Sequence, residues 1–225
     1  PFLLLVRTEF IAGIKYQIAA ALGFVTNYFE IVLGSSYENQ FAPHVYLHTW
    51  SLAVEMHFYV LWGLAAWLLA CVSKTITSYK IKIAGASAVL LVATYAAMAT
   101  GAPASTNLSI QYFSTQTHIF PFFIGALLAC VAGIAQTGAL FEQLEERLSA
   151  QQTVIGLVAS FGVLVLLGMF MHFDDLFTYT FGFFFASLAA AAMIFFARML
   201  HQKTDGIKEP GIISFVADTS YGVYL

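Results

Sequence analysis

Six apolar runs limit what this chain can fold into. They cover residues 16–34, 51–71, 83–100, 118–135, 153–171 and 176–197, and a helix needs about 20 apolar residues to cross a membrane. Charged residues make up 9% of the chain, against about 25% in soluble domains. We therefore predict an all-α fold, a polytopic transmembrane helix bundle with about six spans.

Both ends of the chain resemble parts of further membrane helices. Pro1 to Val6 is apolar and lacks the basic start and the cleavage site of a signal peptide. Ile212 to Leu225 is apolar too, but it is shorter than a span. We expect partial helices at both ends, and we interpret residues 1–225 as an internal part of one longer membrane domain.

Lysine and arginine occur only in alternate connections between the runs. All nine lie before the first run or after the second, fourth and sixth, and connections 35–46, 101–117 and 172–175 contain none. Because cytoplasmic loops are enriched in Lys and Arg, these three connections are predicted to lie outside the cytoplasm. No basic patch is present, so we expect no nucleic-acid partner. The chain is expected to be a multi-pass protein of the cell membrane, in contact with lipid.

The first run, 16–34, is compatible with two structures. It can cross the membrane, or, if Pro1 to Val6 ends an earlier helix on the outer side, it is re-entrant. Irregular backbone at membrane depth is tolerated where it is buried in protein or lines a cavity, and Asn27 and Glu30 suit that setting.

Two other segments have patterns typical of membrane bundles. In 136–152, apolar residues recur at helical spacing opposite acidic ones, which predicts an amphipathic helix at the interface. Gly125, Ala129 and Gly133 are spaced as a ridge of small residues, which indicates close helix packing.

Titratable and polar side chains crowd the start of the second run, where charge costs about 2.5 to 3.5 kcal/mol on insertion scales. On a helical wheel at 100° per residue, five of these side chains fall on one side of the helix and form a stripe, and Trp50 and His57 share the opposite side. The stripe consists of His44, His48, Ser51, Glu55 and Tyr59.

The stripe alone leaves three interpretations open. His44, His48 and Glu55 have spacing that a metal site could use, although interfacial histidines give the same pattern. Polar groups can also lock membrane helices together by hydrogen bonds. The third interpretation is general acid–base chemistry or substrate positioning in a cavity.

The same segment carries a specific resemblance. His48 to Trp62 is similar to the H-x-W-S-L-x-V-E-x-x-F-Y-x-x-W segment of the membrane acyltransferase-3 family, which O-acylates cell-surface polysaccharides. Further matches occur in the family's order at 26–29, 36–37 and 220–225. Residues 27–31 and 118–126 most resemble peptidoglycan O-acetyltransferases of Gram-positive bacteria.

The resemblance implies an O-acetyltransferase that moves an acetyl group from cytoplasmic acetyl-CoA, its donor substrate, to a hydroxyl of an extracytoplasmic glycan. Residues 1–225 would then be an internal part of one membrane acyltransferase domain, served by a fused or separate extracellular transferase domain. No bound cofactor and no metal are expected. Glu55 and His48 are the candidate catalytic residues. The candidate substrate-binding residues are Trp50, Ser51, Tyr59, Asn27, Tyr37 and His118.

The sequence departs from the family in two places. Met56 and His57 follow Glu55 where many members have Glu-Gln, and His118 stands where many have Arg. Loss of that Arg removes an anion clamp, which a protonated His118 could partly replace. The family's membrane histidine and its Arg-x-x-Arg are expected upstream of Pro1.

Three other functions remain as alternatives. A transporter or flippase of an acyl or glycan carrier would also need membrane carboxylates and histidines, but it is expected to have paired broken helices in its two halves. A sensor or scaffold would tolerate loss of Glu55. An acyltransferase acting on another exopolysaccharide would share the whole pattern.

Overall fold

The structure is a computed structural model that describes residues 14–33, 45–133, 138–204, 211, 214–216 and 219–220. Within the main described ranges it consists of helices and contains no strand. The helices are α1 (Ile14–Leu22), α2 (Thr26–Leu33), α3 (Thr49–Cys71), α4 (Ile76–Ala104), α5 (Leu108–Phe113), α6 (Thr115–His118), α7 (Phe120–Ala132), α8 (Ala139–Arg147), α9 (Ala150–Phe170) and α10 (Phe183–Lys203). A π-helical turn, Thr178–Gly182, directly precedes α10.

Five helical segments of the described chain are long and apolar enough to cross a membrane. They are Thr49–Cys71, Ile76–Ala104, Thr115–Ala132, Ala150–Phe170 and Thr178–Lys203. The predicted all-α membrane bundle is therefore confirmed. Runs 51–71, 118–135 and 153–171 match spans whose ends differ by three residues or fewer, whereas runs 83–100 and 176–197 match longer spans. Among the described residues, the predicted run without a matching spanning helix is 16–34, for which two structures were considered.

The run 16–34 does not form one spanning helix. It breaks into α1 and α2, of 9 and 8 residues, and at about 1.5 Å per residue neither reaches across about 30 Å of hydrocarbon. Of the two structures considered for this run, a single crossing helix is wrong. The broken arrangement agrees with the prediction of irregular backbone.

The break between α1 and α2 is a Schellman-type helix end. Val25 N–H donates to Ala20 O at 2.9 Å, and Phe24 N–H donates to Ala21 O at 3.2 Å. This pairing requires a left-handed residue after the helix, and Phe24 takes that place with φ of 54°. Gly23 lies one position too early to supply the left-handed residue.

Buried side chains form separate clusters along the bundle. The cluster nearest the start of α3 joins Trp50, Val54 and Phe58 to Phe113 and Phe123. A second cluster brings together α4, α7 and the π-helical turn. Large apolar side chains of α9 remain exposed, as expected for helices that face lipid.

The amphipathic helix predicted within 136–152 is confirmed as α8. Phe141 is fully buried against Ala132 and Met199, whereas Leu140 on the other side is exposed. Arg198 lies 5.2 Å from the centroid of the Phe141 ring, an attractive cation–π distance. Helix α8 is therefore attached to the ends of α7 and α10.

The ridge of small residues on α7 does not pack as predicted. A Cβ built on Gly125 would meet no described atom within 4 Å. Ala129 and Gly133 line a cavity between α3, α4 and α7. The spacing of small residues indicated a close approach, but here it leaves space instead.

Candidate active site

Asn27, Thr115 and His57 form a buried polar network that joins three helices. Asn27, in the first turn of α2, is fully buried, and its Nδ2 donates to Thr115 Oγ1 at 2.9 Å and to Phe113 O at 3.1 Å. His57 Nδ1 of α3 lies 2.9 Å from the same Thr115 Oγ1. A hydroxyl donates once and accepts twice, so Thr115 can accept from Asn27 and donate to His57. In that tautomer the proton of His57 is on Nε2.

A second hydrogen-bonded pair holds α2 to the start of α3. Thr26 Oγ1 and Thr49 Oγ1 are 2.9 Å apart, and Thr49 Oγ1 donates to Tyr46 O at 2.7 Å. Tyr28 OH donates to Gln116 Oε1 at 3.4 Å, and its ring centroid lies 5.9 Å from that of His57. The short helix that follows the break is thus fixed to α3 and α6 by polar contacts.

His118 lies in an aromatic enclosure formed by Trp50, Tyr112 and Phe183. The centroid of its ring is 5.2 Å from Trp50, 5.5 Å from Tyr112 and 5.0 Å from Phe183, and all three contacts are edge-to-face. Its Nδ1 is buried without a hydrogen-bond partner among the described residues. An unpaired buried polar atom costs about 1–3 kcal/mol, and functional sites are where such costs are tolerated.

The candidate catalytic residues lie on the more open side of α3. Glu55 is half-buried and accepts a hydrogen bond from the hydroxyl of Tyr59, which is exposed. Ser51 Oγ donates to the backbone oxygen of His48 at 3.3 Å, and the His48 side chain is exposed. The prediction that Glu55 and Tyr59 lie on one side of the helix is therefore confirmed, and the structure adds the hydrogen bond between them.

The structure separates the candidate residues into two groups. Trp50 and Asn27 face the packed interior with His57 and His118, whereas Glu55 and Tyr59 pair on the opposite side of α3. Tyr37 and His44 lie outside the described residues. The roles given to all these residues remain predictions.

Sequence reasoning missed Thr115, which is the shared partner in the buried network. It also missed Tyr112, a wall of the His118 enclosure. The available signal was the polar run Thr115 to His118, which interrupts an apolar stretch immediately before Pro121.

Comparison with known proteins gives the chain its family. The profile described as Acyltransferase domain, acyltransferase 3, matches residues 2–225. O-acetyltransferase OatA of Staphylococcus aureus, strain NCTC 8325 / PS 47, is 27% identical over 234 residues, an alignment that covers 100% of this chain and 36% of OatA. A protein of strain COL, named provisionally as an O-acetyltransferase, is 26% identical over 99% of this chain and 35% of its own length.

The chain spans about a third of the length of these relatives. No solved structure matched it. The family profile, in contrast, covers the chain almost from end to end, through both the buried network and the segment His48 to Trp62. This chain is a membrane protein that belongs to the acyltransferase-3 domain family.

Proposed function

We propose that this chain is the membrane part of an O-acetyltransferase of the cell membrane. It transfers an acetyl group from cytoplasmic acetyl-CoA to a hydroxyl of an extracytoplasmic glycan, and the favoured glycan is peptidoglycan. Family membership supports the class of reaction, and the name of the relative OatA supports acetyl as the group. Because the chain spans a third of that relative, a fused or separate extracellular transferase domain is part of the proposal.

The observation that carries the proposal is the hydrogen bond from Tyr59 to Glu55 at membrane depth. A carboxylate in a spanning helix is costly and usually marks function. Here the tyrosine hydroxyl orients it, and positioned carboxylates are common acid–base catalysts.

In the proposed reaction the acceptor hydroxyl oxygen attacks the carbonyl carbon of the thioester. The hydroxyl proton passes to a basic side chain, the carbon–sulfur bond breaks, and the CoA thiolate leaves and takes up a proton. His48 and Glu55 position or polarise the reacting groups, and the membrane histidine expected upstream of Pro1 is the base. Ser51, Tyr59 and Tyr37 contact the substrates on the side of Glu55. Asn27, His118 and Trp50 lie on the other side of α3, so in this proposal a substrate reaches them only from the packed interior, where Trp50 packs the site.

Replacing Glu55 by Gln in the full-length protein tests this proposal. The substitution keeps the shape and removes the charge, so we expect glycan O-acetylation to fall by about 100-fold or more, as for other acid–base groups. Acetyl esters released from purified peptidoglycan measure the effect, together with the amount of protein in the membrane. Glu146→Gln on the exposed side of α8 is the matched control.

Normal O-acetylation by Glu55→Gln at a normal protein level would contradict the proposal. Acetyl esters are counted separately on peptidoglycan and on other surface polysaccharides. Loss from another polymer alone would replace peptidoglycan as the acceptor and keep the enzyme class.

A further inference from the structure

A cavity of about 570 Å³ opens between α3, α4 and α7, away from the buried network. Its lining includes Trp62 on α3, Tyr79 and Lys80 on α4, Ala129 on α7 and Gly133 directly after α7. The volume falls within the roughly 300–1,000 Å³ that is usual for small-molecule sites. We call it the inner cavity, because the distribution of Lys and Arg places this end of the bundle at the cytoplasmic side.

The deep end of the inner cavity meets an aromatic layer below the candidate active site. The ring centroid of Trp62 lies 5.4 Å from Phe123 and 6.1 Å from Phe58. Phe58 directly follows His57 of the buried network. From Trp62 to Glu55 is seven residues along α3, a rise of about 10 Å, so a group at the deep end is about two helical turns from the candidate carboxylate.

The mouth of the inner cavity is basic. Lys80 is exposed there, and none of the described residues that line the cavity is acidic. Arg198 donates to the backbone oxygen of Gly133, so a second cation lies at the same end of α7. The mouth also contains Ile76, the first residue of α4, and the start of a helix carries partial positive charge.

We propose that the inner cavity binds the acyl-bearing pantetheine arm of coenzyme A, with Lys80 at the phosphates. This assignment rests on the proposed function. The arm is neutral and flexible and suits a mixed apolar and polar cavity. The phosphates of CoA carry about four negative charges and must stay at the interface, where the basic mouth lies. A phospholipid headgroup carries fewer negative charges than CoA, so it complements the basic mouth of the cavity less well.

The arrangement also determines the side from which each substrate approaches. With its phosphates at Lys80, the arm directs the thioester towards Trp62. The acetyl group then approaches the aromatic layer from the cytoplasmic side, and the acceptor hydroxyl approaches from the side of Glu55. The aromatic layer of Phe58, Trp62 and Phe123 separates the acetyl group from the acceptor hydroxyl. The two can therefore react only if this layer opens or the acetyl group passes through it.

Direct binding of acetyl-CoA to the purified full-length protein in nanodiscs tests the assignment. Lys80→Glu reverses the charge at the mouth and Ala129→Leu occupies the cavity, so each is expected to raise the Kd by about tenfold or more, the equivalent of one strong contact. The matched controls are Lys74→Glu in the same basic connection and Ala70→Leu on the exposed side of α3. Both controls are expected to bind within twofold of the unchanged protein.

Equal Kd values for all four variants would overturn the assignment, as would a full-length protein that binds no acetyl-CoA. Native mass spectrometry distinguishes a lipid from the donor. Loss of a retained phospholipid from Ala129→Leu, with the acetyl-CoA Kd unchanged, would assign the cavity to lipid and overturn the proposal.

Binding is measured without a glycan and without turnover, so the two proposals fail separately. A protein that binds acetyl-CoA in a manner sensitive to Lys80 but acetylates no glycan would overturn the proposed function and retain the donor site.

Discussion

At the scale of single residues, Thr115 has more influence than its size suggests. Its hydroxyl lies within hydrogen-bond distance of both Asn27 Nδ2 and His57 Nδ1, at 2.9 Å from each. Removal of the hydroxyl therefore takes this partner from half-buried His57 and leaves buried Asn27 Nδ2 with Phe113 O alone. A buried polar group that loses its partner costs about 1–3 kcal/mol. The network connects α2, α3 and α6, so its loss also loosens the attachment of the broken helix.

Replacing Thr115 by Val preserves the shape of the side chain and removes the hydroxyl. We expect the free energy of unfolding to fall by about 1–3 kcal/mol, whereas Thr115→Ser, which keeps the hydroxyl, should lose less than half as much. Thermal unfolding of the purified protein in detergent measures the difference. Equal melting temperatures for the Val and Ser variants would show that the network contributes nothing.

The sequence could predict part of this network and not the rest. Helical phase correctly separated Trp50 and His57 from Glu55 and Tyr59, because residues on one helix have fixed angular positions. Thr115 was missed because its partner Asn27 is 88 residues away in sequence, and the contact exists only where α2 and α6 meet. Phase within a helix says nothing about which helix will be the neighbour.

At the scale of helices, the break between α1 and α2 cannot be predicted from hydropathy. Apolar composition continues through Gly23, Phe24 and Val25, so the run looks like one span. The backbone nevertheless turns at Phe24 with positive φ, where glycine is normally favoured. The π-helical turn before α10 is not visible in the hydropathy either, and one of its backbone oxygens, Thr180 O, accepts a hydrogen bond from Tyr95 OH of α4 at 2.5 Å.

Two substitutions of Phe24 test whether this turn is required. Both Gly and Ile lose the half-buried ring, but only Ile places a β-branched side chain at positive φ, which is strongly disfavoured. We expect Phe24→Ile to be less stable than Phe24→Gly by at least about 1 kcal/mol, measured by thermal unfolding. At Val32, an exposed position inside α2, the order should reverse, because glycine is the poorer helix former. A Phe24→Ile variant as stable as Phe24→Gly, or more stable, would contradict a left-handed Phe24.

At the scale of the whole molecule, hydropathy and charge together predict most of the architecture. Five spans and the amphipathic α8 follow from the sequence pattern, because insertion into a membrane depends on composition over whole segments. The inner cavity does not follow from it. Small residues on α7 have the spacing of a packing ridge, and only the positions of α3 and α4 decide whether that ridge makes contact or leaves a space.

The orientation of the bundle decides which substrate reaches which end, and it can be tested directly. We expect single cysteines at Thr106 and Asp174, both exposed, to react with a membrane-impermeant maleimide on intact cells, because their connections contain no Lys or Arg. Cysteines at Thr77 and Gln143 should react only after the membrane is permeabilised.

The native Cys71 and Cys130 are first replaced by Ser, since Cys71 is exposed and would react at the cytoplasmic end. Labelling in the reverse pattern would place Lys80 outside the cell, where acetyl-CoA is absent, and would remove the basis for a donor site in the inner cavity. Labelling of Thr106 and Thr77 from the same side would contradict a spanning α4, because 29 helical residues separate the two ends of that helix. The expected pattern instead brings donor and acceptor to opposite ends of α3, the one helix that carries both Trp62 and Glu55.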